Sequence, residues 1–396
     1  MSLLSIAFAL ASTVQPPPAS PQPNAPGAIV VTGRRAPDYR AALAACLARH
    51  CPPNEDIDAT MALAESLYVD GDYHGARTAL RQSLSRNRRE ARNYPEPVSD
   101  LYRANARVAR TLGLDRDVNF STLQILRSLQ IGIPVEDHRH LTARFEIAQS
   151  MLAFGRYDVA DQMLREIAER GRAAGRDDVV ALAELRRIWL THLQAARGAA
   201  PPARLLEMAQ SPEPHRAIGA KMLLVRIYSE RGDTAAADRL MAELGRNSQR
   251  RQLLFNPPFE LAQSEDVAGT RDRTQAIQQG GMYTANLADR LVDNVEDKWI
   301  DVGFWVGPDG RVENLEVVRS RHETDWAAPL LRSIRARRYS TREGASTYRL
   351  ERYTYTAGFE ELGTGSRTAR RSPRARLEYF DLTGMRAPPA AEPPAS

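Results

Sequence analysis

The spacing of apolar positions changes once along this chain of 396 residues. From residue 38 to about residue 255 they recur at helical spacing, whereas from residue 291 to 362 apolar and polar residues alternate in several short runs. Residues 256–290 lose the helical period, which is typical of a linker. The pattern therefore predicts a mainly α-helical protein with a small α+β domain near its carboxy-terminal end.

Three segments of the helical part share one layout. Each has a glycine, followed in two of the segments by a tyrosine two residues later, and then an alanine five residues after the glycine. These positions are Gly71, Tyr73 and Ala76, then Gly155, Tyr157 and Ala160, and finally Gly232 and Ala237. A glycine suits the left-handed residue of a tight turn between two helices, and a small alanine lets the two helices pack closely. The layout predicts repeated helical hairpins.

The layout resembles the tetratricopeptide repeat (TPR). The intervals between successive glycines are about twice the ~34 residues of one such hairpin, so each interval must hold one additional, longer hairpin. We therefore expect a solenoid of five hairpins, with the second built on residues 101–129 and the fourth on residues 179–208. The resemblance implies a concave surface suited to a peptide or a partner helix. An irregular helical bundle is the alternative.

The carboxy-terminal part begins with a strand pattern in which Ile300, Val302, Phe304 and Val306 alternate with other residues. Pro308, Asp309 and Gly310 predict a hairpin turn, after which residues 312–318 return as a partner strand. A helical stripe covers residues 326–334, and residues 348–359 form a last strand. The predicted order is β-β-α-β.

This order resembles the carboxy-terminal domain of TonB-family energy transducers over residues 280–360. The matching motifs are Asp309-Gly-Arg-Val312, Val317-Val-Arg-Ser320 and Arg337-Arg-Tyr339. Two positions depart from the family: its Tyr-Pro motif appears as Met282-Tyr283-Thr284, and Ser340 replaces a proline.

The TonB resemblance implies that the last strand captures an extended peptide at the sheet edge by strand addition. A TonB-dependent receptor or another envelope protein would supply the peptide. The residues expected to form this partner-binding edge are Tyr348, Leu350, Arg352, Tyr353 and Tyr355. Alternatively, the strand only completes the sheet.

The first 14 residues form an apolar run that ends near Ala9-Leu-Ala11 and precedes a Pro-rich stretch over residues 15–37. A bilayer span needs about 20 apolar residues, so the run is interpreted as a signal peptide followed by a linker, although it lacks a basic start. An apolar start with no targeting role, or an anchor that is retained, are the alternatives. The expected location is the periplasm, with no transmembrane anchor.

The two cysteines, Cys46 and Cys51, lie beside Pro52 and Pro53, which end a helix and let the chain curl back. In an exported protein this spacing favours a structural disulfide, and buried free thiols are the alternative. Two cysteines without a second ligand pair make a poor zinc signature, so no metal site is predicted.

The remaining features of the composition argue mainly against other functional classes of protein. The net charge is +5, but arginines alternate with acids through the helical part, so a nucleic-acid partner is not expected. No cofactor or nucleophile motif occurs. Residues 363–396 form an Arg- and Pro-rich tail, in which residues 377–382 can add a strand.

The leading interpretation is a non-enzymatic envelope adaptor. An anchored TonB-type energy transducer and a cell-wall enzyme with an unrecognised site are the alternatives.

Overall fold

The computed structural model describes residues 38–195, 198–247, 298–322, 324–340, 344–361 and 369–383. The predicted signal peptide, the Pro-rich linker and the linker over residues 256–290 lie outside the described residues. So does the tail beyond residue 383. Within the described ranges, no helix combines the length and apolar character that crossing a bilayer requires.

The described part is mainly helical, with one small antiparallel sheet. The helices are α1 (Tyr39–Ala48), α2 (Pro53–Val69), α3 (Tyr73–Asn87), α4 (Pro95–Thr111), α5 (Asp115–Gly132), α6 (His138–Ala153), α7 (Tyr157–Ala173), α8 (Asp177–Gln194), α9 (Ala203–Ala209), α10 (Pro214–Glu230), α11 (Thr234–Asn247) and α12 (Ala328–Arg335). After α1, ten of these helices follow one another as consecutive pairs. We call α2–α3, α4–α5, α6–α7, α8–α9 and α10–α11 hairpins one to five.

Glycines form the turns of hairpins one, two, three and five. Gly71, Gly155 and Gly232 have φ values of 80°, 70° and 78°, and Gly113 of hairpin two has a φ of 70°. In hairpin one, the Gly71 amide donates to the Tyr68 carbonyl, and the next amide donates to the Leu67 carbonyl. Both bonds satisfy carbonyls that the end of α2 leaves free. A left-handed residue is what this turn requires, and glycine adopts it without steric cost.

The alanines that follow these turns are buried where the two helices of a hairpin meet. Ala76 and Ala160 are completely buried, and Ala237 is nearly so. Hairpin four is different, because α8 is followed by residues 195–202 and then by the seven-residue helix α9. Gly198 in this connection also has a left-handed φ of 80°, and Ala203 follows five residues later. Ala203 is exposed, however, and the helix that it begins packs mainly against α10.

The sheet contains β1 (Trp299–Val306), β2 (Val312–Arg321), β3 (Thr347–Glu361) and β4 (Ala369–Asp381). Their order across the sheet is β2-β1-β3-β4, and all neighbours are antiparallel. The chain passes from β2 through α12 to β3. The Arg-rich run of the tail is part of β4, which pairs with β3 from Glu351 to Glu361.

Both faces of β1 are buried. Ile300, Val302 and Phe304 pack with α12 on one side of the sheet. On the other side, Trp299 joins the core of hairpins one and two, and Asp301 is also buried. The sheet therefore lies between α12 and the first hairpins, and the described residues from Tyr39 onward belong to one compact unit.

Candidate functional site

The strand expected to bind a partner is internal to the sheet. β3 pairs with β1 along one side and with β4 along the other, so its backbone groups already have partners. Beyond the last β3–β4 pair, the Leu382 amide donates to the Leu350 carbonyl, and the Leu350 amide donates to Thr383 Oγ1. The expectation of a free edge is wrong for Leu350, Arg352, Tyr353 and Tyr355, because β4 and the residues that follow it occupy that edge. Tyr348 lies beyond the residues that pair with β4.

Arg352 attaches β3 to hairpin one. Its guanidinium donates to both carboxylate oxygens of Asp301, at 2.6 and 3.0 Å, and to the carbonyls of Tyr68 and Val69, at 2.7 and 2.8 Å. Those carbonyls lie at the end of α2, where the helix dipole favours a cation. Burial disfavours the charge of Arg352, but the hydrogen bond with Asp301 outweighs it, and the pKa of Arg352 lies above its usual value.

Other contacts extend this attachment along the two hairpins. The Trp299 ring lies 3.9 Å from the Arg352 guanidinium carbon and packs directly against Gly71. Tyr73 is only 2% exposed, and its buried hydroxyl shares a hydrogen bond of 2.9 Å with Thr354. Arg376 of β4 donates to the Arg110 carbonyl and to Asp115, at the turn of hairpin two. An arginine of the sheet thus meets the turn of each of the first two hairpins.

The other face of β3 carries a buried polar cluster. Arg337, which follows α12, donates to Glu351 at 2.6 Å and to the Tyr353 hydroxyl at 2.5 Å. Burial and the neighbouring carboxylate of Glu351 raise the pKa of Tyr353 well above its usual value. Tyr355 packs edge-on against Trp326, with ring centres 5.8 Å apart. These side chains fasten α12 and its following loop to the sheet, and they do not face an open surface.

The hairpin turn between β1 and β2 contains Pro308, Asp309 and Gly310. Asp309 Oδ1 accepts from the Arg311 amide at 2.9 Å, and Gly310 has a φ of 77°. The Gly310 carbonyl accepts from the Tyr339 amide at 2.9 Å, and a side chain on Gly310 would collide with the Tyr339 carbonyl. The turn therefore needs glycine for its conformation and for the close approach of Tyr339.

Cys46 and Cys51 are joined by a disulfide, with their α-carbons 5.2 Å apart. The bond ties the end of α1 to the start of α2. His50, between the cysteines, adopts a left-handed φ of 52°, which lets the chain curl back. Glu55 Oε lies within 4.8 Å of both sulfur atoms. Thiolates are the form that binds metal ions, so the disulfide leaves this trio without the ligands of a metal site.

The remaining turn residues lie at exposed positions. Tyr157 of hairpin three is 41% exposed, whereas its counterpart Tyr73 in hairpin one is buried under the sheet. No heavy atom lies within 4 Å of the position that a side chain on Gly155 or Gly232 would occupy. Within the described residues, Gly155 and Gly232 are therefore required only for the turns of their own hairpins.

A groove lies between α6 and α8, the first helices of hairpins three and four. Its cavity volume is about 350 Å³. Leu141, Phe145 and Leu152 of α6 face Val179 and Leu182 of α8, and Leu164 of α7 also lines it. Leu182 is 43% exposed, so part of this apolar lining is open to solvent. The helical period places these residues on one face of each helix.

The charged side chains around the groove are paired, with one exception. Glu146 accepts from Arg103 of α4 at 2.9 Å, and Asp178 accepts from Arg176 at 2.9 and 2.8 Å. Arg186, one turn beyond Leu182, has no hydrogen bond or ion pair with any described residue. Solvent reaches it, but the groove walls desolvate its guanidinium and hold its pKa below its usual value. The groove is therefore apolar with one unmatched positive charge.

The groove was not predicted from the sequence. Its lining comes from residues spread between His138 and Arg186, and no local sequence motif unites them. The sequence signal that could have revealed the groove is an apolar residue, such as Leu182, on the helix face that points away from the core of its own hairpin.

The comparisons with known proteins identify no family. No family model matches the chain. No curated protein matches it. Among solved structures it is similar to the crystal structure of BtubC (BKLC) from P. vanneervenii, with 16% sequence identity and a TM-score of 0.39. The similarity covers 56% of this chain and 95% of that chain. At this level it carries no conclusion about function.

Proposed function

We propose that this chain is a non-enzymatic adaptor that binds a segment of a partner protein in the groove between hairpins three and four. The observation that carries the proposal is the groove itself, with apolar walls from α6 and α8 and an exposed Leu182. An apolar groove of this kind is the usual receptor for an extended or helical segment of another protein.

We infer that the helical array is of TPR type and that the sheet resembles the TonB carboxy-terminal domain. The turn glycines and the buried alanines support the first inference. The β-β-α-β order with its Asp309-Gly310 turn supports the second. If a TonB-dependent receptor supplies a strand, it cannot pair with β3 and would pair with an outer strand, such as β2. Val317 and Val318 are partly exposed there.

We place the adaptor in the bacterial envelope, in the periplasm. The disulfide between Cys46 and Cys51 supports this location, because disulfides persist in oxidising compartments. The apolar run at residues 1–14, which is interpreted as a signal peptide, points the same way.

Site-specific photo-crosslinking tests the proposal. Benzoylphenylalanine replaces Leu182 in the groove, and in a matched control it replaces Leu193, which is 52% exposed on the same helix but does not line the groove. In cells, the probe at position 182 should join one discrete partner, and the probe at position 193 should not. The purified partner must then bind the wild-type protein and lose affinity for Leu182→Glu. Equal labelling at both positions would contradict a specific groove.

A further inference from the structure

The groove between α6 and α8 combines two features that point to one kind of ligand. Its walls are apolar, from Leu141, Phe145 and Leu182, and its one unmatched charge is the guanidinium of Arg186. Arg186 is exposed and has no counter-ion among the described residues, so a carboxylate that reaches it gains a charge-assisted hydrogen bond. We propose that the groove selects partner segments in which an Asp or Glu stands beside large apolar residues, with Arg186 binding the carboxylate.

The neighbouring charges favour this assignment over a basic or neutral ligand. Glu146 and Asp178 already hold arginines of the protein, so neither is free to accept a cation from a partner. Arg186 lies in the middle of α8, one turn after Leu182, so an apolar side chain and a carboxylate one turn apart on a partner helix would meet both. The fit requires the apolar and acidic groups together.

This inference rests on the proposed function, since it specifies the partner of the same groove. The lowered pKa of Arg186 agrees with a desolvated guanidinium, but the assignment stands on the lining of the groove and on the pairing of its other charges.

The test is a selection of random 12-residue peptides displayed on phage against the full-length protein. Parallel selections use Arg186→Gln, Leu182→Glu and the control Arg81→Gln, which removes the same charge from an exposed position on α3. We expect wild type and Arg81→Gln to enrich Asp or Glu beside Leu or Phe. Arg186→Gln should enrich apolar peptides without acids, and Leu182→Glu should enrich neither.

A synthetic peptide from the selection and its Glu→Gln or Asp→Asn version then give the specificity directly. Wild type should prefer the acidic peptide by about tenfold or more, and Arg186→Gln should bind the two peptides within about twofold. Melting curves of the variants that match wild type would show that the fold is retained.

The outcomes separate this inference from the proposed function. Apolar peptides that depend on Leu182 but show no acid preference would overturn the acidic assignment and leave the groove as a binding site. Peptides that bind all variants equally would overturn both. If a synthetic peptide of residues 255–266, which reads FNPPFELAQSED, binds with the same dependence on Arg186, the groove would belong to the chain's own sequence and the partner would be excluded.

Discussion

At the scale of single residues, Gly71 combines two requirements that Gly155 and Gly232 do not share. Its φ of 80° is left-handed, as it is at Gly155. In addition, a β-carbon on Gly71 would lie 2.6 to 2.9 Å from three atoms of the Trp299 ring, whereas a β-carbon on Gly155 would meet no atom within 4 Å. The turn of hairpin one therefore also sets how closely the sheet approaches.

We expect Gly71→Ala to destabilise the protein more than Gly155→Ala. Gly155→Ala, the control, should lower the free energy of unfolding only by the cost of a left-handed alanine, about 1 kcal/mol. Gly71→Ala adds an overpacking cost of about 1–3 kcal/mol, because Trp299 must move. Urea unfolding of both variants measures the difference. Equal losses would show that Trp299 is not tightly held against Gly71.

Arg352 is the residue on which the attachment of the sheet most depends. It is fully buried and binds the equally buried Asp301 and two carbonyls at the end of α2. We expect Arg352→Met to lower the free energy of unfolding by about 3 kcal/mol or more, since one partner of a buried ion pair is lost.

Arg332→Met serves as the control for Arg352→Met, because Arg332 is exposed on α12. Its effect should stay within about 0.5 kcal/mol. Hydrogen exchange should also speed up at the end of α2 in Arg352→Met. A loss no larger than that of the control would mean that the sheet is held by its apolar contacts alone.

At the scale of elements, Asp56 links α2 to α3 and makes hairpin one sensitive to acid. Its carboxylate accepts from Arg86 at 2.7 and 2.8 Å and from Asn87 at 2.7 Å. Burial alone would raise the pKa of Asp56, but the hydrogen bonds from Arg86 and Asn87 outweigh it and hold the pKa below its usual value of 3.8.

Because the pKa of Asp56 is lower in the folded than in the unfolded protein, its contribution to stability is present above about pH 4. It is lost as the pH falls through the folded pKa. We expect Asp56→Asn to flatten the decline in stability below pH 4. Asp58→Asn, at an exposed position of the same helix, should leave the decline as in wild type. Urea unfolding between pH 6 and pH 2.5 measures both; parallel curves for wild type and Asp56→Asn would refute the role of Asp56.

Elements with local signals were predictable from the sequence, and those that depend on distant partners were not. The turns at Gly71 and Gly155 follow from a glycine and an alanine five residues apart, and β1 follows from its alternation. The sequence pattern does not distinguish a strand from a solvated tail over β4, because its arginines are typical of exposed segments. Its pairing with β3 depends on contacts that local periodicity does not encode.

The same limit applies to the sites. Arg352 was expected to face a partner, and no local pattern shows that the end of α2, more than 280 residues earlier in the chain, supplies its ligands. The groove likewise unites α6 and α8, which are separated by a whole helix.

At the scale of the whole molecule, different hairpins hold the sheet and form the groove. Arg352, Trp299 and Arg376 contact hairpins one and two. The groove lies between hairpins three and four, with one flank fixed by the bond from Arg103 to Glu146. Substitutions in the groove should therefore change partner binding without releasing the sheet. Because of this separation, the adaptor proposal can be tested by measuring the affinity of such variants for the partner.

The most direct test is the equilibrium affinity of the purified partner, identified by crosslinking at position 182, for wild type, Leu182→Glu and Leu193→Glu. Titration calorimetry should show binding to wild type and to Leu193→Glu with the same dissociation constant within about twofold, and a loss of at least about tenfold for Leu182→Glu, because its carboxylate would be buried against apolar walls. Melting temperatures of the two variants should match. Equal affinity for all three proteins would contradict the groove as the binding site of this adaptor.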